Sequence, residues 1–477
     1  MIFNSFEFLL FFLIVTSLYF LLPHKFRWML LLLASCVFYM FFVPVYIFIL
    51  LITILIDYFA AIYISNSDGR KKKLYLVISI VSTCLVLFIF KYFNFFNDNF
   101  KFLAQFVHWN YPIGALKILL PIGLSFHTFQ SLSYVIEVYR GNQKPETHFG
   151  IYALYVMFYP QLVAGPIERP QNVLYQFYEK HNFNYNDVTY GLKLMLWGYF
   201  KKVVIADRLS IYVNTIYNNH QHHNGTSLLL ATVFFAFQIY CDFSGYSDIA
   251  IGSARVMGFK LLTNFNRPYF AKSISEFWKR WHISLSTWFK DYVYIPMGGN
   301  RVIKPLVLFN LLVTFLLSGF WHGANWTYII WGGLNGLYLA IGVVLYTTKS
   351  KMNHKFEKGY FSFFNQLLNI IFTFFLIALS WIFFRANSVQ NAVNIIHKIL
   401  FEKGRLFMGD NKSMVYSICF LTILFITEAF EEYKLFNKFS LYNNSSKLVR
   451  HLTYYSLIII IMLFGVFDSS QFIYFQF

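Results

Sequence analysis

Apolar runs long enough to cross a membrane recur along this chain almost from end to end. Crossing the hydrocarbon core of a bilayer takes about 20 residues of α-helix. With 58% hydrophobic and only 13% charged residues, the chain also has too few polar groups to cover a water-facing surface. It shows no internal repeat or linker, so we expect one domain over residues 1–477. The apolar runs lie near residues 5–22, 27–43, 45–64, 74–93, 149–164, 188–217, 227–258, 306–320, 326–346, 365–384, 412–430 and 451–467.

These runs predict an all-α, polytopic membrane protein with roughly 11–13 transmembrane helices. The first run contains Glu7, follows no basic residue and lacks a small-residue cleavage pattern, so we expect a retained span rather than a removed signal peptide. A further segment from Ile113 to Val138 is broken by Pro121 and Gly123. Breaks at membrane depth occur only where protein or a water-filled cavity satisfies the freed backbone, so this segment is expected to be re-entrant.

The formal net charge of +18 is distributed as in a membrane protein. Basic residues gather in short loops between apolar runs, which is the positive-inside pattern, and this argues against a nucleic-acid-binding protein. Counting spans from these loops places both chain termini outside the cytoplasm. The basic loops contain Arg70 to Lys73, Arg140 and Lys144, Lys349 to Lys358, and Lys434 to Arg450.

The cysteines and a group of three histidines do not predict a metal site. Cys36, Cys84, Cys241 and Cys419 all lie in apolar runs without paired spacing, so they are interpreted as small core residues. The loop that contains His220, His222 and His223 is rich in Asn and Gln, which favours a solvated loop over metal binding. We therefore expect no resident metal and no permanently bound cofactor.

The segment 264–305 is too charged to span the bilayer, yet it alternates tryptophans with basic residues. Tryptophan prefers the headgroup level, where lysine and arginine can also reach water, so we expect short helices at the cytoplasmic interface. Two interpretations are open: a simple membrane anchor, or a docking face for an anionic donor, whose phosphates Lys279, Arg280, Lys290 and Arg301 could hold. The candidate donor-binding residues are Trp278, Lys279, Arg280, Trp281, Ser284, Asn300, Arg301 and, further on, Asn325.

His322 lies at the end of one apolar run and just before the next. A buried histidine that merely bonds a neighbouring helix is the ordinary interpretation of such a residue. An ionisable side chain within a membrane segment is costly, however, and Gly319 and Gly323 leave room beside the ring for another backbone or a ligand. Imidazole is well matched to removing a hydroxyl proton near neutral pH, so His322 is a candidate catalytic base.

Two carboxylates, Asp242 and Asp248, fall within an otherwise apolar run. They either line a substrate path or pair with Arg255 or with basic residues of the interfacial segment, and structural pairing is slightly favoured. No nucleophile elbow, Walker loop or zinc-protease motif occurs in a fitting context.

Several of these motifs together resemble the membrane-bound O-acyltransferase (MBOAT) family, and within it the bacterial alginate O-acetyltransferase branch with its peptidoglycan O-acetylation relatives. The similarity extends over nearly the whole chain. One departure is His127, where an aromatic residue is expected. The matching residues are Trp281-His282-x-Ser284-Leu285-Ser286-x-Trp288, Asp291-Tyr292-x-Tyr294-Ile295-Pro296-x-Gly298-Gly299-Asn300-Arg301, Trp321-His322-Gly323, Leu120 to Phe126, Pro160 to Ile167 and Phe472 to Phe477.

The resemblance implies a ring of tilted helices around a thinned centre, with a passage joining the two faces. It also implies that His322 is the catalytic histidine and His282 a second site histidine that orients substrate or stabilises charge. The expected donor is a cytosolic acyl thioester, most simply acetyl-CoA. The expected acceptors are hydroxyls of an envelope polysaccharide such as alginate or peptidoglycan, reached directly or through a periplasmic partner acyltransferase.

The expected location is therefore the bacterial inner membrane, with membrane lipids around the helices. Three alternatives remain open at this point: a transporter or flippase that uses Asp242 and Asp248 as a solute path, a structural subunit that recruits a secreted enzyme, and D-alanyl or lipid acyl transfer within the same family. The sequence does not select the acceptor, the kinetic order or the oligomeric state.

Overall fold

A computed structural model of the protein describes residues 1–118, 120–163, 165–349, 360–434, 446–467 and 473. All regular structure in these residues is helical, which confirms the predicted all-α class. The predicted basic loops at 349–358 and 434–450 lie largely outside the described residues, as do Ala164 and the terminal motif 472–477 except for Ile473.

Within the described ranges, eight helices are long and apolar enough to cross a membrane, and Phe6–Leu21 is a shorter apolar helix. The chain is thus a multi-pass membrane protein. The helices are α1 Phe6–Leu21, α2 His24–Met40, α3 Ile47–Ser65, α4 Gly69–Leu87, α5 Phe93–Phe106, α6 Leu124–Arg140, α7 Phe149–Met157, α8 Tyr159–Leu162, α9 Pro170–Val173, α10 Tyr185–Tyr199, α11 Asp207–Asn218, α12 Gly225–Val256, α13 Ile274–Arg280, α14 Ile283–Phe289, α15 Lys304–His322, α16 Trp326–Lys349, α17 Tyr360–Arg385, α18 Val389–Phe401, α19 Asn411–Tyr433 and α20 Lys447–Phe464.

The contacts of the chain divide into two compact units. The first comprises residues 1–195 and 246–262, and the second comprises residues 196–245 and 263–477. In the first unit, α3 contributes a fully buried carboxylate, Asp57, which accepts hydrogen bonds from Ser79 (2.6 Å) and Thr83 (3.2 Å) of α4. Hydroxyl donors on a neighbouring helix thus satisfy a carboxylate that lies within a membrane-crossing segment.

The predicted break at Pro121 and Gly123 is present in the first unit. Helix α5 ends at Phe106, and among the described residues that follow, the next helix begins at Leu124. Gly123 has φ of 77°, and a Cβ at this position would lie 2.7 Å from the carbonyl oxygen of Leu162. Only glycine combines this left-handed backbone with such a close approach.

Glu168, also in the first unit, lies outside the membrane-crossing helices and is completely buried. Its carboxylate accepts the backbone N–H of Leu262 at 2.5 Å and the side-chain amide of Asn172 at 3.4 Å. Burial raises the pKa of Glu168 to about 7, and these hydrogen bonds oppose the rise only in part.

In the second unit, α15 and α16 form an antiparallel pair in close contact. A Cβ on Gly332 would overlap the carbonyl oxygen of Phe315 and would lie 3.1 Å from the Cα of Gly319. Small residues let two membrane helices approach at backbone distance, where van der Waals packing replaces the hydrophobic effect that lipid does not supply. This packing fixes the end of α15, which carries His322.

Two features of the second unit go beyond the predicted spans. Helix α18 follows α17 after a short turn, and the predicted runs did not include it. Within the run predicted at 188–217, a π-helical segment, Phe200–Ala206, joins α10 to α11. The Val203 carbonyl of this segment accepts the backbone N–H of Val466, which ties the chain beyond α20 to it.

We expect Gly332→Ala to lower stability by about 1–3 kcal/mol, because the added methyl group must push α15 and α16 apart. Thermal unfolding in detergent micelles measures this as a fall in the unfolding midpoint. Gly342→Ala, in the same helix, is the matched control, because a Cβ there meets no atom within 4 Å. Equal midpoints for the two variants would contradict the assigned packing.

Glu168 is expected to make stability depend on pH. Its pKa is near 4.5 in the unfolded chain and about 7 in the folded protein. Between these two pH values the carboxyl group is protonated in the folded protein and ionised in the unfolded chain, so folding takes up a proton. The stabilisation is fully present below pH 4.5 and is lost as pH rises through about 7, a decrease of about 3 kcal/mol. Thermal unfolding midpoints over this range should fall for the unsubstituted protein and much less for Glu168→Gln. The control is Glu179→Gln at an exposed carboxylate; if it flattens the profile equally, Glu168 is not the group responsible.

Candidate active site

His282 lies in the second unit, at the turn between α13 and α14, and only 1% of its surface is exposed. Its backbone is left-handed, with φ of 43°, a conformation that costs ~1–2 kcal/mol for a residue with a Cβ. Its ring Nδ1 lies 3.1 Å from the side-chain oxygen of Asn264. The ring also contacts Phe243 edge to face, with centroids 4.6 Å apart.

His282 lies outside the membrane-crossing helices, so its ionisation is set by burial in the protein. Burial lowers the pKa of His282 to about 3, and the imidazole is therefore neutral near pH 7. Asn264 Oδ1 also accepts the backbone N–H of Ser284, so the atom facing this donor is the amide oxygen. The same oxygen requires a proton on His282 Nδ1, which leaves Nε2 as the proton acceptor of the neutral ring.

His322 is the last residue of α15 and is 4% exposed. Its ring packs edge to face on Trp331 at 5.0 Å and contacts Trp321 at 4.8 Å and Phe384 at 5.5 Å, measured between ring centroids. The space expected beside the flanking glycines is filled by α16. Gly319 faces the backbone of α16, and a Cβ on Gly323 would overlap the ring of Tyr328.

A chain of indole rings connects the surroundings of the two histidines. Trp331 contacts His322 and stacks on Trp381 with centroids 5.6 Å apart. Trp381 contacts Trp281 at 5.1 Å, and Trp281 directly precedes His282. These three tryptophans are buried, so they form a continuous apolar wall at the site.

A cavity of about 350 Å³ lies in the second unit beside both histidine motifs. Its lining includes Ile283, which follows His282, and Ser318, which is one helical turn before His322; neither histidine itself lines it. Lys279 and Lys290 contribute the charged lining, and the remaining lining is mainly apolar. Among the described residues no carboxylate forms an ion pair with either lysine.

The structure separates the predicted donor-binding residues into three groups. Trp278 and Lys279 line the cavity. Arg280, Trp281 and Ser284 are engaged within the protein: Arg280 pairs with Glu276 (2.6 Å) and Glu432 (2.8 Å), Trp281 is buried among aromatic rings, and the Ser284 hydroxyl donates to Asn264 at 2.9 Å.

The third group does not line the cavity and consists of Asn300, Arg301 and Asn325. Asn300 is exposed and accepts a hydrogen bond from the Tyr294 hydroxyl, and Arg301 is exposed. Asn325 accepts the backbone N–H of Thr327 and so caps the start of α16. Its assignment to donor binding stays a prediction.

Asp242 lies in a buried ion-pair cluster of the second unit. Lys202 lies 2.7 Å from Asp242 and 2.7 Å from Asp207, and the backbone N–H of Ile473 donates to the second oxygen of Asp242. Structural pairing was slightly favoured for this carboxylate, with Arg255 or basic residues of the interfacial segment as the expected partners. Pairing is present, but both expected partners were wrong, because the cation is Lys202 of the π-helical segment. Arg255, in the first unit, pairs with Asp187 at 2.7 Å. Asp248 is partly buried on the same helix as Asp242.

Three functional contributors were not predicted from the sequence. Asn264 is 18 residues before His282, and nothing in its spacing indicates a contact. Trp331 and Trp381 lie in runs that were predicted as ordinary spans. Lys290, by contrast, was among the basic residues predicted to hold phosphates, and it lines the cavity.

A multi-pass helical membrane protein that buries two histidines beside an apolar cavity with two cationic side chains belongs to the class of membrane-embedded enzymes. The sequence model described as "MBOAT, membrane-bound O-acyltransferase family" matches residues 147–385 of the chain. The chain belongs to the membrane-bound O-acyltransferase family and is an acyltransferase, which excludes the transporter and recruiting-subunit alternatives as its primary activity.

The chain is similar to curated relatives over most of its length. A peptidoglycan O-acetyltransferase of Helicobacter pylori is 36% identical over 393 residues, which cover 77% of this chain and 72% of that protein. A "Probable alginate O-acetylase AlgI" of Pseudomonas aeruginosa is 39% identical over 396 residues, covering 82% and 73%. A teichoic acid D-alanyltransferase of Bacillus subtilis is 29% identical over 274 residues, covering 55% and 68%.

Proposed function

We propose that the protein moves an acetyl group from cytosolic acetyl-CoA toward hydroxyls of an extracytoplasmic polysaccharide. The observation that carries the proposal is the cavity that begins at Trp278 and Lys279 and extends to Ser318, one turn from His322. Its apolar interior suits the thioester arm of the donor. Its lysines suit the phosphates, because a lysine acts as a point charge toward phosphate.

The transfer is an acyl substitution at the thioester carbonyl. His322 takes the proton of the acceptor hydroxyl while the hydroxyl oxygen bonds to the carbonyl carbon. The tetrahedral intermediate then expels the thiolate, the C–S bond breaks, and the proton held by His322 passes to the sulfur. Ser318 and His322 are four residues apart on α15, about 6 Å along the helix axis, so the proposal requires the reacting carbonyl to reach about one turn beyond the lining residue Ser318.

His282 acts in this scheme by orienting substrate. A neutral ring with its proton on Nδ1 offers Nε2 only as an acceptor, so it can receive a hydrogen bond from a hydroxyl or amide N–H of a substrate. It cannot donate to an oxyanion from that nitrogen. Of the two roles open for His282, orientation is therefore the one that its neutral, buried ring supports.

An acetyl group and a glycan acceptor are favoured over D-alanyl transfer by the degree of similarity. The two O-acetylation relatives share 36% and 39% identity over more than three quarters of the chain, whereas the D-alanyl relative shares 29% over 55%. By their names those relatives modify peptidoglycan and alginate, so an envelope polysaccharide is the proposed acceptor. We propose the bacterial inner membrane as its location, with transfer to the glycan either direct or through a periplasmic partner acyltransferase.

His322→Ala is expected to lower kcat for CoA release from acetyl-CoA by about 10²–10⁴-fold, because the acceptor hydroxyl loses its base. The assay uses the purified full-length protein in lipid nanodiscs with a short N-acetylglucosamine oligomer as the hydroxyl probe. His322→Gln, which fills the volume of the ring, distinguishes lost chemistry from lost packing. His397→Ala, at an exposed histidine on α18, is the control. Near-normal turnover by well-folded His322→Ala protein would remove this residue from the mechanism.

Lys279→Gln is expected to raise KM for acetyl-CoA about tenfold with little change in kcat, because a lysine–phosphate contact contributes to donor binding and not to the reacting centre. The increase should shrink at high salt. The matched control is Lys272→Gln, at an exposed lysine of the same segment that bonds Gln366 and does not line the cavity. Equal KM values for the two variants would show that the donor does not contact Lys279.

A further inference from the structure

Asn264 lies in the segment before α13 and forms hydrogen bonds with the first residues of α14, beside His282. Its backbone carbonyl accepts the N–H of Ile283 at 2.9 Å, and its side-chain Oδ1 receives the N–H of Ser284 at 3.3 Å and the Ser284 hydroxyl at 2.9 Å. The side chain of Asn264 is completely buried. Asn264 alone thus forms hydrogen bonds with three consecutive residues, 282–284.

Asn264 caps the N-terminus of α14 in place of the His282 side chain. His282 is the N-cap residue of α14, where a side chain ordinarily accepts the N–H of the second or third helical residue. Here the His282 side chain makes no such bond, and Asn264 Oδ1 accepts the N–H of Ser284, the second residue of α14. The imidazole is therefore held by its own contact with Asn264 and need not turn back to cap the helix.

The same oxygen also determines the tautomer of the ring. Backbone N–H and hydroxyl groups donate to Asn264 Oδ1, which identifies it as the amide oxygen and therefore as an acceptor. The His282 nitrogen facing it at 3.1 Å must then carry the proton. Partners of this kind around functional histidines fix the ring orientation and the position of the proton.

We propose that Asn264 is a positioning residue of the acyl-transfer site, which fixes His282 in the Nδ1-protonated form with Nε2 as the acceptor nitrogen. This inference rests on the proposed function, because it assigns Asn264 a role through His282. Asn264 itself touches neither donor nor acceptor. Because Asn264 orients His282 and does not bind the donor, its substitution should lower kcat and leave the KM for acetyl-CoA unchanged.

The test compares Asn264→Leu and Asn264→Asp in the nanodisc assay, with acetyl-CoA as donor and the N-acetylglucosamine oligomer as hydroxyl probe. Leucine has a similar volume but lacks the acceptor oxygen. We therefore expect kcat to fall about tenfold to a hundredfold, while the KM for acetyl-CoA changes less than about twofold. Aspartate keeps an acceptor for all three donors, so its kcat should lie closer to that of the unsubstituted protein than to that of the leucine variant. Asn266→Leu, at the exposed asparagine two residues on, is the matched control and should leave kcat unchanged.

Two results would overturn the proposal. One is equal kcat for Asn264→Leu and Asn266→Leu. The other is an Asn264→Asp variant that folds normally, as judged by its unfolding midpoint, and is as slow as the leucine variant. If Asn264→Leu does not fold, Asn264→Ala, which removes the acceptor oxygen without adding bulk, is compared with Asn266→Ala, and equal kcat values for these two variants overturn the proposal. Failure of the proposed function itself looks different, because the unsubstituted protein would then release CoA no faster than its His322→Ala variant.

Discussion

Hydrocarbon offers no hydrogen bonds, so every polar group buried among membrane helices must find its partner elsewhere in the same chain. The second unit meets this requirement twice with residues that are distant in sequence. Asn264 receives the donors of the His282 turn, and Lys202 lies between the carboxylates of Asp207 and Asp242. Removing one member of such a set leaves a buried group unsatisfied, which costs more than the bond itself contributes. The position of His282 therefore depends on a partner that lies 18 residues earlier in the chain.

The part of the fold that the sequence predicted is the part that depends on local signals. A membrane span is encoded by length and hydropathy over consecutive residues, and the runs predicted at 306–320 and 326–346 correspond to α15 and α16. The break at Pro121 and Gly123 was also local, because proline and glycine impose their backbone preferences directly. Helix α18 was missed because its amphipathic 13 residues carry no run of span length.

The partners in the site could not be predicted, because they depend on which helices pack together. Gly319 illustrates this: its small size was interpreted as space beside the imidazole, whereas the structure uses it for contact between the backbones of α15 and α16. The sequence shows that a glycine permits close approach, but it does not show what approaches. The same holds for Asp242: pairing with a cation was slightly favoured from the sequence, but its partner, Lys202, was not identified.

Helix α13 shows how one basic, aromatic stretch can serve two purposes. Ser275, Trp278 and Lys279 are spaced i, i+3 and i+4, so they share one face, and that face lines the cavity. Glu276 and Arg280 share another face, where they pair with each other and Arg280 also pairs with Glu432 of α19. The Arg280 guanidinium is thus engaged by two carboxylates, one on its own helix and one on α19. The charged lining of the cavity therefore comes from Lys279 and Lys290. Helical periodicity, rather than the number of basic residues, decides which side chains of α13 face the cavity.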